Sequence, residues 1–61
     1  MANKSFELKF KMDNAIFDDY PLNECIRILG EVKVELEFGR IKGKVMDING
    51  NSIGTYKVKG V

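Results

Sequence analysis

Apolar and polar residues alternate strictly near the start of the chain: Phe6, Leu8, Phe10 and Met12 interleave with Ser5, Glu7, Lys9 and Lys11. A period of two predicts a half-buried strand over residues 5–12. Asp13-Asn14 then supplies turn chemistry. Ile16 and Phe17, which follow, are too apolar for a free loop and are expected to plug one end of the core. From Pro21 to Phe38 the period changes. Leu22, Cys25, Ile26, Leu29, Val32 and Leu36 recur at spacings of three and four, with Ile28 widening the stripe, while Glu24, Arg27, Glu31, Lys33, Glu35 and Glu37 fall mostly opposite. That spacing places one apolar face on a helix. Asp18, Asp19 and Pro21 suit its start and Gly39 its stop. Such a helix is roughly 27 Å long at 1.5 Å per residue, enough to cover a short sheet from end to end. Gly30, Val32 and Val34 lower its intrinsic propensity, so packing must hold it.

After Gly39, two strand-like runs, residues 40–48 and 51–58, flank Asn49-Gly50, a strong hairpin signal. The register is open. A two-residue loop pairs Val45 with Gly54 and Ile41 with Val58; a three-residue loop closed by Gly50 pairs Val45 with Ile53. A bulge at Gly54 is a further option, letting Ile53 and Tyr56 face the same way. The expected architecture is α+β in the order β-α-β-β: one helix packed on a three-stranded sheet with an antiparallel C-terminal hairpin, as a single domain over residues 1–61. The first strand can lie beside either hairpin strand.

A chain of 61 residues buries only about 60% of the surface it exposes when unfolded, so its own core is marginal. The single Cys25 forms no disulfide within the chain, and without His or a cysteine cluster no structural metal site is expected. Self-association is the remaining common support. An uncovered sheet face and open strand edges point the same way, predicting a homodimer formed through sheet edges or leftover apolar surface. No run resembles a signal peptide or approaches the ~20 apolar residues of a membrane span, so the expected location is cytoplasmic with no membrane partner.

The net charge of +1 conceals a division. Residues 1–12 and 39–61 together carry +6, whereas the connecting loop and helix carry −5. A basic sheet side and an acidic helix side follow. Lys9, Lys11, Lys42, Lys44, Lys57 and Lys59 form the candidate anion or nucleic-acid surface. Only Tyr56 is an aromatic close to them, which furnishes a stacking platform poorly; lysines on exposed strands also guard against aggregation. Glu24, Glu31 and Glu35 form the candidate acidic surface for a basic partner.

No catalytic set assembles. His, the commonest general base, is absent, and Cys25 on the apolar stripe reads as a small core hydrophobe. Asp47-x-Asn49-Gly50-Asn51 has its glycine too early for a calcium loop and lacks the distal bidentate Glu, so it reads as a hairpin turn. Neither a cofactor nor a metal is expected.

Three segments, Phe6-x-Leu8-x-Phe10-x-Met12-Asp13-Asn14-Ala15-Ile16-Phe17, Glu24-x-x-Arg27-Ile28-Leu29 and Gly43-x-Val45-x-Asp47-x-Asn49-Gly50-Asn51-x-Ile53-Gly54, together resemble a group of very small proteins of bacteriophage and prophage genomes, generally without assigned function. The resemblance covers nearly the whole chain and brings no active-site residues with it. It implies a non-enzymatic accessory protein that occupies a host or phage macromolecule, a defence complex included. A nucleic-acid or anionic-nucleotide binding module and a small structural or assembly protein are the alternative readings.

Overall fold

The computed structural model describes residues 3–61; the first two residues of the expected domain lie outside that range. Strand β1 is Ser5–Phe10, helix α1 Ala15–Asp19, helix α2 Pro21–Glu37, strand β2 Lys42–Met46 and strand β3 Ser52–Lys59. The sheet order is β1-β3-β2, antiparallel at both pairings. The first strand therefore lies beside the last, and the two edge strands run parallel with β3 between them. The expected helix-on-sheet α+β architecture is the observed one.

Local chemistry sets the element ends. Asn14 caps α1, its side-chain oxygen accepting the Ile16 N–H at 3.1 Å, as an Asx residue does when it competes with continued strand. Residues 15–19, expected only as a lead-in, thus form a short helix of their own. It breaks at Tyr20, and Pro21 opens α2, where its missing N–H costs nothing. Gly39 ends α2 at φ 84°. The Gly39 N–H donates to Leu36 and the Arg40 N–H to Glu35, the paired closing bonds of a Schellman motif.

Both registers considered for the hairpin occur in it. Asp47 and Asn51 flank a three-residue loop with Gly50 at φ 83°, and Met46 pairs with Ser52; one step further Val45 pairs with Gly54. Ile53 is the extra residue of this bulge, and it packs on the core together with Tyr56. Only Gly50 takes a positive φ in this turn; Asn49 does not.

The core consists of Phe17, Ile28, Val32, Val45 and Tyr56, with Leu8, Phe10, Ile16, Cys25 and Ile53 packed around it. Phe17 and Ile16 close one end as expected, the Phe17 ring 6.2 Å from that of Phe10. The phase of α2 is the surprise. Ile28 sits at the centre of the contact with the sheet, whereas Leu22, Ile26, Leu29 and Leu36 of the expected core stripe are exposed. Polar bonds fix this rotation. Tyr56 donates its hydroxyl to Glu35 at 2.9 Å, and Arg27 donates to the Met46 carbonyl at 3.1 Å. Gly43 makes room for the Tyr56 ring, since a Cβ there would come within 2.7 Å of it. Gly30, mid-helix, has no such reason: among the described residues nothing beyond its chain neighbours and its own helix backbone lies within 4 Å of its Cβ position.

Candidate functional site

The outer face of the sheet is built by alternation. With Tyr56, Leu8 and Val45 turned toward α2, the intervening residues turn away, and the register sets them in rows: Glu7, Lys57 and Lys42 across one, Lys9, Thr55 and Lys44 across the next, with Lys59 opposite Ser5 beyond. All are exposed. Lys11 follows just past the end of β1, its N–H bonded to the Ile53 carbonyl at 2.9 Å. The sequence-predicted lysines are thus brought to one face. Lys59 pairs with Glu7 at 3.0 Å; their hydrogen bond lowers the Glu7 carboxyl and raises the Lys59 ammonium. Among the described residues, Lys9, Lys42, Lys44 and Lys57 make no ion pair. Tyr56 does not join them. It is 1% exposed on the opposite side of the sheet, so the lysine face has no aromatic platform.

The acidic candidates are not assembled into an open surface. Glu24 is buried at 4% exposure and receives two bonds from Arg27, Nε to Oε1 at 2.6 Å and Nη2 to Oε2 at 3.0 Å. A helical position opposite the sequence stripe implied solvent; the turned helix puts it inside, and Glu24 leaves the candidate surface. Glu31 meets Arg27 Nη1 at 2.9 Å, and Glu35 accepts the Tyr56 hydroxyl. Only Glu31 remains largely open, its side chain 57% exposed.

A polar clamp that the sequence did not announce joins the helices to the hairpin. The buried Asp47 carboxylate accepts the Asn49 and Asn51 N–H groups at 2.9 and 2.8 Å, the Asn51 side chain at 3.3 Å and the Asn14 side chain at 2.7 Å. The backbone N–H of Asn51 is the largest influence holding its carboxyl below the usual range; for Glu24 it is the Arg27 hydrogen bond. Burial and then Glu35 push the Tyr56 phenol up. The spacing Asp-x-Asn-Gly-Asn was visible, but the partner Asn14 lies 33 residues away and carries no signal of its own. Every buried side-chain polar atom among the described residues has a partner. Such a clamp holds; it presents no free base or nucleophile. Among the described residues no acidic, cysteine or histidine group gathers that could hold a metal ion, and no helix is long and apolar enough to cross a membrane.

Fold and surface together define a small α+β protein with one side of its sheet bare and basic. No protein-family model matches the chain, and no curated protein or solved structure is significantly similar to it.

Proposed function

We propose that this chain is a non-enzymatic, phage-type accessory protein of the host cytoplasm that acts as a homodimer and occupies an acidic surface of a host or phage macromolecule. The lysine face of the sheet is its working surface. The observation that carries this reading is the group Lys9, Lys42, Lys44 and Lys57, four cations without ion-pair partners on one uncovered face. Fixed cations on a broad face raise the encounter rate with an anionic partner and set its orientation. The buried ionisable groups, by contrast, close on one another, which suits a structural clamp better than proton transfer.

An acidic protein surface fits the face better than a nucleic acid. Glu7 lies among the lysines and pairs with Lys59. The rows across the strands carry no arginine or aromatic side chain, Arg40 and Phe38 standing beyond the end of β2 next to Lys44, so the means of reading bases or stacking on them are sparse on the face itself. The test is affinity capture followed by native mass spectrometry, comparing the wild type with a Lys42→Glu, Lys57→Glu double variant. A captured protein that is lost with the charge reversal supports the reading. Capture of oligonucleotide, with affinity falling steeply with salt at about −0.9 in log–log slope per phosphate, transfers the face to nucleic acid. Turnover of a substrate at enzyme-like rates ends it.

A further inference from the structure

The outward flank of α2 has a pattern of its own. Leu22, Ile26, Leu29, Lys33 and Leu36 follow one another at spacings of four, three, four and three, the d and a positions of two heptads. Apolar residues at a and d form the seam through which helices pair, and a single lysine at an a position is a known setter of register. The residues are open to pair: Leu22 is 75%, Ile26 66% and Leu29 53% exposed. Lys33 pairs its ammonium with Glu37 at 3.3 Å, which leaves its aliphatic stem available at the border of the seam, as a long cationic side chain can be.

We infer that a second copy of this chain covers the flank, the two α2 helices packing antiparallel about an axis near Leu29. Three observations select this occupant and orientation. The seam is self-complementary in the way a twofold interface requires. Its two ends differ: beside Leu36 lies an empty apolar groove of about 430 Å³, walled by Phe6, Leu8, Leu29 and Val32, while Leu22 projects at the other end. Antiparallel pairing sets the Leu22 of each chain into the groove of the other and separates the two Lys33 charges, which a parallel pair would stack. Gly30, the neighbour of Leu29, leaves the helix surface bare beside that axis.

Phe6 at 50% and Leu36 at 37% exposure continue the seam beyond Leu22, Ile26 and Leu29, so five open apolar side chains per chain supply the kind of apolar centre that homodimer interfaces bury. This pairing gives the homodimer of the proposed function its interface and rests on that reading to that extent; the lysine face lies on the other side of the sheet, so loss of the dimer and loss of the lysine-face partner are read by separate variants.

Analytical ultracentrifugation of the wild type and of Leu29→Glu tests the interface, with far-UV circular dichroism to follow the fold. A two-chain mass for the wild type and a one-chain mass for the folded variant are expected. A wild type that stays single at micromolar concentration overturns the inference, as does a dimer that survives the substitution. Orientation, and the case in which Leu29→Glu does not fold, are settled by disulfide trapping on a Cys25→Ser background. Chains carrying Leu22→Cys mixed with chains carrying Leu36→Cys should cross-link to each other. Cross-links confined to like chains, or none at all, refute the antiparallel pairing.

Discussion

Two flanks of α2 border the buried Ile28 and Val32 and differ in kind. Toward the sheet lie buried Glu24 and half-covered Arg27 and Glu35, whereas Leu22, Ile26 and Leu29 stand in solvent on the other flank. Rotating the helix to bury its leucines would remove Arg27 from the Met46 carbonyl and Glu35 from the Tyr56 hydroxyl. The Arg27 bond is open to solvent, but Tyr56 is buried, and a buried polar group left without a partner costs about 1–3 kcal/mol, the same order as the about 1.5–3 kcal/mol gained by burying one aliphatic side chain. Hydrogen bonds can therefore set the phase of a helix in a core this small. The comparison teaches that the apolar stripe of such a helix need not face its own sheet.

The sharpest way to break this contrast is to truncate one residue on each flank. Ile28→Ala should cost about 2–5 kcal/mol, whereas Leu22→Ala should stay within about 0.5 kcal/mol, in urea denaturation of chains dilute enough to be single. The reverse ranking would return α2 to the phase of its leucine pattern.

The polar flank can be titrated. Asp47 and Glu24 have carboxyls lowered in the folded chain, mainly by the Asn51 N–H and by Arg27 respectively. A carboxyl lowered on folding contributes stability that is present above its unfolded value, about 4, and is lost as the pH falls through the folded value. The melting temperature should therefore drop on acidification below about pH 4, and the drop should be shallower in Asp47→Asn, which should already melt lower at neutral pH. A wild type with a flat acid limb would deny the clamp a share in stability.

The smallest effect concerns the border between the flanks. Gly30→Ala should stabilise the single chain by about 1 kcal/mol through helix propensity, since its Cβ meets nothing, while weakening association if Gly30 lies at the helix crossing. Parallel measurements of thermal stability and sedimentation separate the two.

Much of this arrangement was legible in the residues. The strand alternation from Phe6 to Met12, of which the pairing strand keeps Ser5–Phe10, the change of period at Pro21, the stop at Gly39 and the hairpin at Asn49-Gly50 each have a local cause and stand in the structure within a residue or two. The gathering of the lysines followed once alternation was combined with strand order. What failed was non-local. The leucine stripe has the periodicity of a core face whether its cover comes from the same chain or from another. Nothing near Glu24 indicated that Arg27 would carry it inward, and nothing near Asn14 pointed to Asp47. The hairpin's mixed register arose because the turn's three-residue geometry and the side preferences of Ile53 and Tyr56 are both satisfied only by a bulge between them.

Strand order also bears on how the chain comes off the ribosome. β1 and β2 share no edge; each pairs only with β3, which follows both in the sequence. Until β3 has emerged there is no sheet for α2 to lie on, and the nascent chain holds its leucines without the surface that orients them. The Ser5–Lys59 pairing closes a loop nearly as long as the domain, and contacts so distant in sequence slow folding relative to a helical protein of the same size. Folding is thus deferred to the last strand and then completed as one event, so that a chain interrupted before Ser52 has no partial sheet to retain.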